Sequence, residues 1–164
     1  MRAVYRKEMR QYFRSPAGYV FLAIFLFVNA FYFLLQNLLV RSGDITDYFE
    51  AVVTLEMFLI PMLTMRSFAE ERKQRTDIFL LTMPIDCRSV VLGKFLAAES
   101  VFLAGLGATL VFPMILAFCG SAQPLIALGN YLGAALLMSA FIAAGIFASA
   151  LSENQIVAAI LSYV

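Results

Sequence analysis

The sequence predicts an all-α, polytopic transmembrane helical bundle, and three observations carry that prediction. Of 164 residues, 62% are hydrophobic and only 14% charged, with a mean hydropathy of +0.86, whereas a soluble domain carries ~25% charged residues. Four long apolar runs, Ala17–Val40, Ala51–Met65, Phe95–Cys119 and Leu125–Ala150, contain just two charged residues, Glu56 and Glu99. All twelve Lys and Arg lie before the first run or between runs. A water-soluble chain of this size would have too little polar surface to cover so much apolar side chain.

The first element is residues 1–15, an amphipathic helix expected to lie in the membrane interface. Val4, Tyr5, Met9, Tyr12 and Phe13 fall on one helical face, and Arg2, Arg6, Lys7, Arg10 and Arg14 on the other. Such a helix buries its apolar face among headgroups and offers cations to anionic lipid; a solvated helix preceding a span is the alternative. Ser15-Pro16 then turns the chain, with serine suited to an N-cap and proline to the first helical turn. The basic opening is long, the run after it has 24 residues, and no small-residue cleavage site follows, so a retained anchor is expected and not a removed signal.

The first span is expected over 17–40. At ~1.5 Å per residue it reaches about 36 Å, enough to cross with tilt. Its amides, Asn29, Gln36 and Asn37, should face other helices, where they can find partners. A polar loop, Arg41–Glu50, leads to the second span over 48–65, which carries Glu56 and Pro61. Residues 66–94 form the most charged stretch. The third span, 95–119, contains Glu99, Gly105, Gly107 and Pro113. A turn at Gly120–Pro124 gives the fourth span, 125–150. Residues 156–164 start what reads as a fifth, and its nine residues fall short of the ~20 needed to cross, so a fragment of a longer protein is expected.

Orientation follows from counting cations. The opening segment has five Lys or Arg, the 66–94 loop six, the 41–50 loop one and the 120–124 turn none. The positive-inside rule places the N-terminus and the 66–94 loop in the cytoplasm. Cys87 and Cys119 then sit at opposite ends of one span, about 30 Å apart, too far for a disulfide. The cations flank apolar runs and form no continuous stripe, so nucleic acid is not an expected partner.

Chemistry is sparse. There is no histidine, and no GxxxxGK[ST] phosphate loop: Gly93-Lys94-Phe95 lacks both the upstream glycine and the hydroxyl residue. No Cys or carboxylate set has metal-ligand spacing, and no cofactor is expected. The chain is therefore not expected to be an enzyme. Glu56, ~15 Å along the helix axis from Arg66, falls near mid-membrane, where a charge costs ~2.5–3.5 kcal/mol and must face protein or water. It serves either a substrate path or a structural contact between helices. Glu99 lies near the inner surface, able to snorkel or to pair with Lys94 or another base. Gly129 and Gly133 form a GxxxG pair and Ala140, Ala144 and Ala148 extend the stripe, a pattern that permits close helix packing.

Within 66–94 a dense mixture of both signs precedes Ile78-Phe79-Leu80-Leu81-Thr82-Met83, a short apolar patch ending at Pro84. Asp86 can cap a new helix running through Arg88 and Lys94 into the third span. As one helix from Cys87 to Phe118 it would be about 48 Å long and protrude into the cytoplasm. An apolar patch rimmed by charge is a docking surface, unless it lies only against lipid.

The stretch MRSFAEERKQRTDIFLLTMPIDCRSVVLGKFLA resembles the cytoplasmic loop of ABC-2-type permeases of ATP-binding cassette transporters. The matching positions are Glu70, Glu71, Arg72, Thr76, Leu80, Leu81, Thr82, Pro84, Gly93 and Lys94. The opening RKEMRQYFRSPAGYVFLAIF is similar to the family's in-plane helix and first span, and ENQIVAAILS to the beginning of its fifth. The nearest subgroup is the short permeases of gliding-motility and copper-site maturation systems. Asp77-Ile78-Phe79 departs from the family's usual Glu-Leu while keeping the pattern of charge before apolar residues.

The resemblance implies six spans, two more than this chain completes, and a dimer with a second permease copy or homologue in the cytoplasmic membrane of a bacterium. It also implies a separate cytoplasmic ATPase that docks on the loop between spans two and three and drives alternating access. Mapped here, Glu70, Glu71, Arg72, Arg75, Thr76 and Asp77 form the polar part of that dock. Phe79, Leu80 and Leu81 anchor it, and Pro84 ends it. A membrane scaffold that anchors an ATPase in a motility or assembly complex without transporting fits the same residues. A membrane-embedded enzyme does not, because no catalytic cluster is visible near either interface.

Overall fold

The computed structural model describes residues 2–40, 44–64, 87–118, 123–151 and 157, and among these every regular element is helical. Helix α1 spans Arg2–Arg14. Helix α2, Pro16–Phe33, runs on as a π-helical stretch over Leu34–Leu39. Helix α3 is Thr46–Thr64 and α4 is Cys87–Ala108. A break at Thr109–Leu110 separates α4 from α5, Val111–Phe118. Helix α6, Pro124–Leu151, is 28 residues long.

Three stretches are long and apolar enough to cross a bilayer: Gly18–Leu39, Arg88–Phe118 and Pro124–Leu151. Helix α3 stands where the second span was expected, starting two residues earlier. Its Asp47, Glu50 and Glu56 set it apart from those three. Residues 156–164, read as a fifth span, lie outside the described residues apart from Val157.

Each boundary has a local cause. Ser15 takes an extended conformation and Pro16 occupies the first helical position, where a missing N–H costs nothing. The expected serine cap does not form, because the hydroxyl makes no capping bond. Gly18 lets the corner close: a Cβ there would run into the Tyr12 carbonyl. At the far end of α2, Asn37 Nδ2 donates to the Asp44 carbonyl at 2.8 Å. Asp44 Oδ1 accepts from the Thr46 amide at 2.9 Å and so starts α3. Those bonds from Thr46 hold the exposed Asp44 carboxyl below its ordinary pKa.

The single long helix expected from Cys87 to Phe118 is corrected to two. Pro113 has no N–H for the Thr109 carbonyl, four residues back, so the α-helical ladder cannot close there. That carbonyl instead accepts from the Phe112 amide at 2.9 Å and from the Tyr131 hydroxyl on α6 at 2.8 Å.

Helix α3 packs most extensively on α6 and next on α2, and α4 packs on both α6 and α2. Aromatic rings fill the seams. Phe25 meets Phe102 edge-on at 5.7 Å, Phe33 stacks on Phe112 at 4.5 Å, and Phe49 meets Tyr131 edge-on at 4.8 Å. Small residues set the closest approaches: a Cβ on Gly145 would collide with Thr64, and one on Gly105 would sit 3.0 Å from the Phe25 ring. Outward-facing residues such as Phe27, Leu125 and Leu136 remain well exposed, as a surface solvated by acyl chains requires.

Candidate functional site

The end of the bundle where α3 finishes and α4 begins carries most of the predicted functional residues. Glu70, Glu71, Arg72, Arg75, Thr76, Asp77, Phe79, Leu80, Leu81 and Pro84 lie outside the described residues. The stems on either side are described. One is the last turn of α3, reaching Thr64; the other is the first two turns of α4, from Cys87 through Lys94.

Helix α1 packs across both stems. Its apolar face was expected among lipid headgroups; instead it packs on protein. Val4 is buried against Gly93, where an added Cβ would lie 3.0 Å from the Val4 Cβ. The Tyr5 and Ser100 hydroxyls are 3.1 Å apart. Tyr12 donates to the Leu63 carbonyl at 3.1 Å. Burial, with the nearby Glu8 adding to it, pushes the Tyr12 phenol above its usual pKa. On the opposite side Arg2, Arg6 and Arg10 are exposed and line a shallow recess with Lys7.

Lys94 does not pair with Glu99. Residues five apart on a helix point about 140° away from each other, so only three- and four-residue spacings make neighbours. Lys94 Nζ instead bonds Glu8 Oε1 at 3.0 Å, with 1% of the lysine side chain and 6% of the glutamate side chain exposed. Glu99 faces α6, where Ser139 donates to its Oε1 at 2.7 Å. Its Oε2 is buried with no partner among the described residues.

Glu56 sits in the middle of the α2–α3 contact and is 2% exposed. Asn29 Nδ2 donates to Glu56 Oε1 at 3.0 Å and to the Phe25 carbonyl at 2.9 Å. Tyr48 donates to Asn29 Oδ1 at 2.5 Å. One amide thus joins an acid and a phenol from α3 to α2, and the expected partner for Asn29 is a carboxylate.

Gly129 and Gly133 are exposed, and a Cβ on either meets nothing within 4 Å. They border a groove of about 390 Å³ between α3 and α6, with Thr46, Glu50 and Asn130 at its polar end. The close packing expected of this GxxxG pair is therefore absent within the chain, where Gly145 supplies it instead. Ala140 and Ala144 are likewise exposed and only Ala148 is buried.

Comparison with known families places this arrangement. The family described as "ABC-2 family transporter protein" matches residues 18–164. The chain belongs to the ABC-2 transporter family. It is a permease subunit of an ATP-binding cassette transporter, a multi-pass membrane component that is not itself an enzyme. Neither the curated proteins nor the solved structures give a match. The family match begins at Gly18, so α1 lies outside it while touching both stems within it.

Proposed function

We propose that this permease works with a separate cytoplasmic ATPase that docks on residues 66–94. We place it in the cytoplasmic membrane of a bacterium, N-terminus inside, paired with a second permease copy or homologue. Family membership over residues 18–164 is the observation that carries this reading. The charge asymmetry supports the orientation, since eleven of the twelve cations fall in residues 1–15 and 66–94. Continuous helix from Cys87 into the apolar core supports a mechanical link from loop to bundle, because displacing the loop tips a rigid rod.

In this reading Phe79, Leu80 and Leu81 enter a hydrophobic pocket of the ATPase. Glu70, Glu71, Arg72, Arg75, Thr76 and Asp77 supply the polar rim, and Pro84 ends the patch. Glu56 is a contact between helices rather than a step on the substrate path, because its carboxylate is enclosed by α2 and α3 and bonded to Asn29. Capture of the ATPase by a tagged chain tests the dock. Leu80→Asp with Leu81→Asp should abolish capture, and equal capture would remove the assigned surface. Substrate-stimulated ATP hydrolysis in liposomes separates a transporter from a scaffold that only anchors the motor.

A further inference from the structure

Two segments far apart in the chain, Lys7-Glu8 in α1 and Gly93-Lys94 in α4, meet at one point. Gly93 supplies the space: α1 comes close enough that a Cβ at position 93 would lie 3.4 Å from the Tyr5 backbone nitrogen. Lys94 supplies the charge, bonding Glu8 at 3.0 Å inside the contact. One turn further along α1, Tyr12 holds the Leu63 carbonyl at the end of α3. A single face of α1, with Val4, Glu8 and Tyr12 at four-residue spacing, therefore rests on both stems of the 65–86 segment.

Affinity alone does not explain a buried ion pair at this contact. Removing two charges from water costs about as much as their attraction returns, and an apolar pair of equal volume would hold as well. What the pair adds is discrimination: with α1 in any other position, Lys94 is a buried cation without its counter-ion. That makes the contact two-state rather than sliding.

We propose that Glu8 and Lys94 form a latch that makes α1 an arm of the loop-bearing unit, so that movement of the two stems carries α1 with it. Through the Ser15-Pro16 corner, where Gly18 holds α2 tightly against the Tyr12 carbonyl, that movement reaches the first span. Glu8 and Lys94 are positioning residues and touch no substrate. The proposal rests on the reading of residues 66–94 as the ATPase dock.

The experiment uses the full chain in liposomes with its captured ATPase, in a Cys87→Ser, Cys119→Ser background. Spin labels at Arg10→Cys and Val91→Cys, both exposed positions, report the distance between α1 and α4. The unmodified pair should give one narrow distance distribution. Glu8→Gln should add a second, longer population and lower permease-dependent ATP hydrolysis about tenfold, with ATPase capture unchanged. The reversed pair, Glu8→Lys with Lys94→Glu, should restore the single distance and at least half of the hydrolysis. A merely stabilising contact would not produce that rescue. A Glu8→Gln protein with unaltered distances, or with a displaced α1 and undiminished hydrolysis, overturns the latch. Should Glu8→Gln fail to yield a monodisperse protein, the reversed pair decides: a single distance with coupled hydrolysis supports the latch, and any other result refutes it. Failure of the unmodified chain to capture an ATPase refutes the docking reading instead, and the distances then decide the latch by themselves.

Discussion

Replacing Asn29 with leucine, which nearly keeps its volume, should loosen the α2–α3 seam while leaving the surface untouched. The substitution removes the amide that accepts from Tyr48 at 2.5 Å and donates to Glu56 at 3.0 Å. Hydrogen bonds between helices in membranes average ~0.6 kcal/mol and reach about 1.7, so losing two should cost roughly 1–3 kcal/mol. Glu56→Gln should cost less than about 1 kcal/mol, because the glutamine oxygen can still accept from Asn29 Nδ2. The assay is thermal unfolding in detergent, read beside permease-dependent ATP hydrolysis in liposomes. A structural role for Glu56 requires Asn29→Leu to lower the melting temperature and Glu56→Gln to leave hydrolysis near the unmodified level. The opposite pattern, a stable Glu56→Gln protein that no longer couples, would refute the reasoning and make the carboxylate itself part of the transport path.

Other outcomes follow from the same packing. Gly145→Val places its branched side chain against Thr64 and should destabilise the protein by about 1–3 kcal/mol in the same unfolding assay, a cost that Thr64→Ala should reduce. Tyr131→Phe removes one of two donors to the Thr109 carbonyl and should cost ~1 kcal/mol. In a Pro113→Ala background, where position 113 regains its N–H, that cost should shrink, and an unchanged cost would mean the break does not depend on proline. Asp44 has a lowered pKa when folded, so the bond it offers Thr46 is fully present above the ordinary carboxylate range and is lost as pH falls through the folded value. Amide exchange at Thr46 should therefore quicken on acidification, and Asp44→Asn, whose side-chain carbonyl does not titrate in this range, should abolish the pH dependence.

Apolar run length made the helices legible, because a membrane leaves the backbone little choice but to bond within its own segment. Asn29 and Asn37 found partners, as buried amides must. The break in the third span was not drawn, although its cause was in view: Pro113 removes the donor for Thr109, and the carbonyl's second partner, Tyr131, lies 22 residues on and can be known only from the fold. Glu8 was hidden by its setting among five cations, which made α1 look like a helix with one greasy and one charged face. Its spacing from Val4 and Tyr12 carried the signal, since residues 4, 8 and 12 share a stripe and an acid there is either solvated or paired. The GxxxG pair misled in the other direction. Small residues allow close approach but do not say to what, and on α6 the glycine used within the chain is Gly145, while Gly129 and Gly133 stay open.

The two buried acids with partners work by the same logic at different depths. Glu56 is held by a neutral amide within the α2–α3 seam, and Glu8 by a cation at the end where the stems emerge. A neutral partner suits a seam that must stay shut in every state, because the bond is lost only with the packing around it. A charged partner suits a contact that must hold one position against neighbouring ones, because every slip strands a charge. If transport requires the stems to move while the seam holds, then neutralising the charged pair should impair coupling before stability. Disrupting the neutral amide should impair stability first.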